Sequence, residues 1–150
     1  MSGYLLLLAG RDGLLAVRRR VSRTDTRGAL CHCARMPTLL IVDDHACFRA
    51  IARTALSGRF RVVGEAADGA HAVALARELR PEVVLLDVQL PDTDGFTVAA
   101  DLAAQDHPPV VVLTSSRDRS DFAPLLRQSR ARGFIDKERL SADALADLLG

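Results

Sequence analysis

From residue 38 onward the chain alternates between two hydrophobic periods. Short apolar runs at 39–42, 60–63, 83–86, 110–113 and 134–135 read as strands. Several are continuous rather than alternating, the pattern of parallel strands covered on both faces. Among them lie segments with helical spacing of apolar residues, at 46–56, 70–79, 96–104, 121–131 and 142–149. Ala and Leu fill their inner faces, and Arg, Asp and Glu their outer ones. Five strands alternating with five helices predict a doubly wound α/β domain built on a parallel sheet. No internal repeat or low-complexity linker interrupts residues 36–150.

An open parallel sheet binds ligands beyond the carboxyl ends of its strands, so the polar residues there carry the chemistry. The first run ends in Asp43-Asp44, the third in Asp87 and the fourth in Thr114-Ser115; the fifth leads into Lys137. Each has a local explanation: Asp44 as a helix cap, Asp87 opening a turn, Thr114 bonding a loop, Lys137 as a solvated charge. The convergence of all four ends on one rim favours a shared site. Two carboxylates about 4 Å apart repel by roughly 4 kcal/mol at an effective dielectric of about 20. Three clustered acids therefore need cations, and Lys137 supplies a single charge. A divalent metal would supply the rest, and an all-oxygen site with room for water suits Mg2+. A metal, a lysine and a hydroxyl around one free carboxylate equip a site for phosphoryl transfer. The nucleophile would be the central acid, Asp87, forming an aspartyl phosphate.

Four segments carry a family resemblance: Leu39-Leu40-Ile41-Val42-Asp43-Asp44-His45, Val84-Leu85-Leu86-Asp87-Val88-Gln89-Leu90-Pro91-Asp92-Thr93-Asp94-Gly95, Val112-Leu113-Thr114-Ser115 and Ala131-Arg132-Gly133-Phe134-Ile135-Asp136-Lys137. In order and spacing they resemble the signature segments of response-regulator receiver domains, over residues 36–149. The resemblance implies a (βα)5 flavodoxin-like fold with strand order 2-1-3-4-5. It implies that Asp87 accepts a phosphoryl group from a histidine kinase, a phosphotransfer protein or a small donor. Mg2+ would be held by Asp44 directly, by Asp43 largely through water, and by Asp87 and the Gln89 carbonyl. Thr114 and Lys137 would hold the phosphoryl group, with Phe134 as the switch aromatic. As Thr114 moves toward the phosphoryl group, Phe134 is expected to turn inward into the vacated space. Its burial would contribute about 1.5–3 kcal/mol to the switch. The fourth helix, fifth strand and fifth helix would then present a changed face to a downstream protein or a second copy. Two departures stand out. Thr93 occupies the turn position where the family usually has Met, and Glu138 follows Lys137 where many members have Pro. The second is similar to receivers tied to helix-turn-helix transcriptional outputs.

Charge adds to this picture. The chain holds 20 basic and 19 acidic side chains, but they are unevenly placed. Residues 1–35 carry seven Arg against two Asp, a net +5, leaving 13 basic and 17 acidic residues and a net −4 on 36–150. An acidic body argues against direct nucleic-acid binding. The longest apolar run, 4–9, is far short of the roughly 20 residues of a membrane span, so a soluble cytoplasmic protein is expected. Met36 directly precedes the first strand. Residues 1–35 are expected to form a poorly ordered basic extension and 36–150 the receiver domain. Three cysteines form no disulfide framework, Cys31-His32-Cys33 lacks a second ligand cluster, and Cys47 falls in the first helix. Lys137 is the one lysine among the 20 basic residues. A compact ammonium can reach both Asp87 and a phosphoryl oxygen, where a guanidinium fork is wider.

A phosphorylation-controlled signalling module, rather than an enzyme, is the expected function. The alternative is a Mg2+-dependent phosphohydrolase working through the same aspartyl phosphate. Such enzymes generally carry a second acid two residues past the nucleophile, where this chain has Gln89.

Overall fold

A computed structural model describes residues 35–150 of the 150-residue chain. The stretch 1–34, with Cys31-His32-Cys33 and the apolar run 4–9, lies outside the described residues. Five strands form one parallel sheet: β1 (Thr38–Val42), β2 (Arg61–Ala66), β3 (Val83–Asp87), β4 (Val110–Ser115) and β5 (Gly133–Asp136). Their order is β2-β1-β3-β4-β5, as expected for the flavodoxin-like topology. The helices are α1 (Ala46–Leu56), α2 (Gly69–Leu79), α3 (Gly95–Ala103), α4 (Arg119–Gln128) and α5 (Ala142–Leu149). A single 3-10 turn, Lys137–Arg139, joins β5 to α5.

The continuous apolar runs are explained by two cores. On one face Leu40, Val42, Val84, Leu86, Val111 and Leu113 pack with Ala76, Leu102 and Phe122 from α2, α3 and α4. On the other, Leu39, Ile41, Val83, Leu85, Val112 and Ile135 pack with Ala52 and Leu56 of α1 and Leu145 of α5. Each fully buried Leu or Ile contributes roughly 1.5–3 kcal/mol, so neither face tolerates a polar residue within the strands. Successive strand residues point to opposite faces. Asp43, Asp87, Thr114 and Lys137 stand two residues beyond Ile41, Leu85, Val112 and Ile135. Parity sends Asp87 and Thr114 toward the α1–α5 side of the rim, and just past the ends of β1 and β5 Asp43 and Lys137 join them, with Lys137 Nζ over the Phe48 ring of α1.

Most boundaries agree with the periodic reading to within one or two residues, and two elements depart further. β2 runs from Arg61 to Ala66 rather than over 60–63, because it is an edge strand paired only with β1 and needs no continuous apolar run. Its register slips between Leu39 and Leu40, which pair with Val62 and Gly64. Phe60 precedes the strand and is buried in the α1–α5 core. α4 spans Arg119–Gln128 instead of 121–131, and Ser129 leaves it in extended backbone. Pro124 sits inside this helix, where it provides no N–H to the carbonyl one turn earlier.

Candidate functional site

At the carboxyl rim, β1 and β3 lie side by side, and their last pairing, Val42 with Leu86, sets Asp43 beside Asp87. Both acids are buried, at 0% and 3% exposure. The Lys137 ammonium closes the gap from β5, 2.5 Å from Asp43 Oδ2 and 2.7 Å from Asp87 Oδ2. Only 11% of the Lys137 side chain is exposed, and its Nζ lies 4.6 Å from the centre of the Phe48 ring on α1. Lys137 is a clamp between two buried acids, not a solvated surface charge.

Burial raises the Asp87 carboxyl above the usual aspartate range, against hydrogen bonds from Lys137 and the Gln89 N–H that favour its charge. Burial also disfavours the Lys137 ammonium, but its bonds to Asp43 and Asp87 outweigh this and hold it above the ordinary lysine value. A buried cation between two carboxylates leaves the trio one negative charge in excess, before Asp44 is counted.

Asp44 follows outside, with 37% of its side chain exposed, and it does not cap α1. The cap residue is His45, whose side chain makes no capping bond. Instead its Nδ1 sits 2.6 Å from Asp44 Oδ1 and 3.3 Å from Asp43 Oδ1. The His45 N–H donates to Asp43 Oδ1 at 2.8 Å. One ligand atom from each of Asp43, Asp44, His45 and Asp87 falls within 4.8 Å of the others.

Thr114 pairs with Asp87 across β3 and β4 and is fully buried. Its Oγ1 has no hydrogen-bond partner, so the loop-bonding explanation fails for it. Gln89 donates its backbone N–H to Asp87 Oδ1 at 3.1 Å, while the residue as a whole is exposed. The chain can turn back this tightly because residue 95 is glycine: a Cβ there would collide with the Asp87 carbonyl. Asp94 then starts α3 by accepting the Phe96 and Thr97 N–H groups at 2.9 and 3.0 Å.

Phe134 requires a correction. Its ring is already inward, 8% exposed and 6.2 Å from the Phe122 ring of α4, in the core under α2, α3 and α4. Fresh burial of this side chain is therefore not available to drive a switch from this state.

Periodicity and spacing missed two neighbours. His45 stood in the quoted motif without a role, and its adjacency to two aspartates was the available signal. Arg49 had no such signal among so many arginines. It donates to the Asp43 carbonyl at 2.7 Å, and Glu65 of β2 holds it at 3.2 Å. Arg53 binds the other Glu65 oxygen, at 2.6 Å.

Strand order, acidic rim and lysine clamp together define a flavodoxin-like domain of the kind used in signalling. The chain belongs to the response regulator receiver domain family, whose model matches residues 39–149. It is 37% identical over 113 residues to a putative transcriptional regulator of Pseudomonas aeruginosa, a match covering 74% of this chain and 55% of that protein. The chain thus spans about half the length of the curated relatives it matches. Among solved structures it is similar to the signal receiver domain of the putative response regulator NarL from Mycobacterium tuberculosis. That similarity is at 36% identity and a TM-score of 0.68, over 76% of this chain and 97% of that one. It is also similar to a chain of the CheX-CheY-BeF3-Mg2+ complex from Borrelia burgdorferi. There the identity is 25% and the TM-score 0.61, over 75% of this chain and 85% of that one. The chain is a receiver domain of two-component response regulators.

Proposed function

We propose that Asp87 is the phosphoacceptor of this receiver and that its charge change switches a protein-binding face. The observation that carries this is the convergence of buried Asp43 and Asp87 on Lys137, beside a buried Thr114 hydroxyl that lacks a partner. An Asp87 carboxylate oxygen bonds to phosphorus as the phosphorus–nitrogen bond to a phosphohistidine donor breaks, and the freed imidazole takes a proton from solvent. The donor is a histidine kinase or a phosphotransfer protein. Lys137, already at Asp87, neutralises charge on a phosphoryl oxygen, and the partnerless Thr114 hydroxyl donates to another. The Gln89 N–H bonded to Asp87 Oδ1 and the close approach of Gly95 to the Asp87 carbonyl brace the turn that carries the acceptor.

The donor set fits Mg2+: hard carboxylate oxygens, one buried pair and one half-exposed acid open to water. Asp43, Asp44 and Asp87 would hold it, with the Gln89 carbonyl as a further ligand. Bound Mg2+ supplies the charge that offsets the remaining carboxylates and the incoming phosphoryl oxygens. The Borrelia complex, which contains Mg2+ and BeF3, supports Mg2+ as the ion in this reading.

The switch couples Thr114 to Phe134 by repacking rather than by new burial. If Thr114 is drawn toward the phosphoryl group, the Phe122–Phe134 contact between α4 and β5 is what must adjust. The face formed by α4, β5 and α5 then meets a downstream protein or a second copy, without direct contact to nucleic acid by this domain. Among the described residues no helix is long and apolar enough to cross a membrane, and we place the protein in the cytoplasm. Residues 36–150 make up the receiver, with 1–35 as a basic extension. A signalling module is favoured over a phosphohydrolase because the position two residues past Asp87 offers only a backbone N–H and an exposed amide.

Incubation with Mg2+ and acetyl phosphate, followed by intact mass measurement, tests the acceptor. A single hydroxylamine-labile phosphate is expected on the wild type and none on Asp87→Asn. An undiminished adduct on the mutant, or steady turnover of phosphomonoesters, would overturn the reading.

A further inference from the structure

The imidazole of His45 forgoes the role its position offers. It occupies the N-cap of α1, where a polar side chain ordinarily accepts a backbone N–H, yet it makes no capping bond. The ring turns toward the acids and sets Nδ1 2.6 Å from Asp44 Oδ1 and 3.3 Å from Asp43 Oδ1. Its backbone N–H, bonded to Asp43 Oδ1 at 2.8 Å, fixes where the ring starts. Arg49 holds the Asp43 carbonyl and is itself held by Glu65, so the turn carrying all three residues is anchored on its far side. On the far side of Asp87, the fully buried Thr114 hydroxyl, paired in register with it, has no protein partner. Among the described residues, Lys137 is the one Lys or Arg side chain paired with these carboxylates.

We infer that His45 is a nitrogen ligand of this site, which gives it a preference for first-row transition-metal dications over Mg2+. The inference rests on the metal-binding part of the reading above and adds the class of cation. Carboxylate oxygens alone favour hard ions such as Mg2+, whereas an imidazole nitrogen adds affinity only for ions that accept nitrogen donors. Three carboxylates and one imidazole, with ligand atoms within 4.8 Å of one another, make a mixed oxygen–nitrogen set. In the metal-free state Nδ1 rests against Asp44; with the metal bound it faces the ion, and Nε2 carries the ring's hydrogen toward water. His45 is well placed for this exchange because 70% of its side chain is exposed and the ring can turn without disturbing the core. Mn2+ is the natural probe, since it accepts carboxylate, water and imidazole and is paramagnetic.

The test uses the full chain with MnCl2 and MgCl2, by calorimetric titration and by electron spin-echo spectroscopy of the Mn2+-loaded protein. Wild type should bind Mn2+ more tightly than Mg2+ and show modulation from a directly coordinated imidazole nitrogen. His45→Gln should lose that modulation and weaken Mn2+ by roughly tenfold, with a much smaller effect on Mg2+. Wild-type spectra decide the point even if the variant fails to fold. Binding of both ions without imidazole modulation, or an equal loss for both in His45→Gln, overturns the ligand role and leaves the Mg2+ site standing. Failure of both ions to bind wild type overturns the site and the inference together.

Discussion

Asp92, in the loop that leaves Asp87, holds the start of α2 through Gly69. Its Oδ1 accepts the Gly69 N–H at 2.8 Å and its Oδ2 the Ala70 N–H at 3.0 Å. Asp68 caps the same helix end from within the chain, accepting the His71 N–H at 2.7 Å. Two carboxylates thus share the free N–H groups of one helix, and one of them reaches it from the loop after Asp87.

These bonds hold the Asp92 carboxyl below the usual aspartate range, with the Gly69 N–H as the largest cause. A depressed value in the folded state contributes stability above the unfolded value, roughly pH 4, and that contribution is lost as pH falls through the folded one. Asp92→Asn should therefore melt below wild type at pH 7, and the gap should close under acid. Melting curves from pH 7 to 2 check this; a gap that persists unchanged at pH 2 counts against the charge-based cap.

Asp87 has the opposite sign. Its folded value is raised by burial, so its contribution is fully present below the unfolded value and is lost as pH rises through the folded one. Asp87→Asn should accordingly be more stable than wild type at pH 7 without metal, and the advantage should shrink toward pH 4. Equal stability across that range would mean that the carboxylate is not strained by its burial.

Lys137→Met leaves Asp43 and Asp87 buried and facing each other without a cation. Loss of one partner of a buried ion pair costs about 3–5 kcal/mol, and a comparable drop is expected in chelator. Added Mg2+ should restore more stability to this variant than it adds to wild type. Denaturant titrations with and without Mg2+ measure both; an undiminished midpoint in chelator would show that the clamp carries no weight.

The Thr114 hydroxyl is buried without a partner, which costs about 1–3 kcal/mol relative to an apolar group of the same shape. Thr114→Val should stabilise the unphosphorylated protein by about 1 kcal/mol and still accept phosphate on Asp87. In wild type, phosphorylation should shift amide resonances across residues 119–149; in Thr114→Val those shifts should be absent. Matching responses in the two proteins would break the proposed coupling of Thr114 to the α4–β5–α5 face.

Residues 36–150 expressed alone should unfold within about 1 kcal/mol of the full chain and take up phosphate equally well. A fragment that fails to fold would show that 1–35 contributes to the core.

The sequence by itself determined the five strand runs, the parallel sheet they build and the rim on which Asp43, Asp87, Thr114 and Lys137 meet. Those features are local: an apolar run covered on both faces must be a buried strand, and a polar residue two positions past a residue of the α1–α5 core emerges on that same side. Tertiary structure decided what depends on long-range partners. Edge pairing with β1 carried β2 through Gly64 and Glu65, past the end of its apolar run. Packing against Phe122 turned Phe134 inward, which no periodicity encodes. Arg49 became the anchor of Asp43, and Asp92 a cap for α2, because folding brought a distant carbonyl and a distant helix end within hydrogen-bond reach. The direction of the His45 ring is local by contrast, set by Asp43 and Asp44 directly before it in the chain.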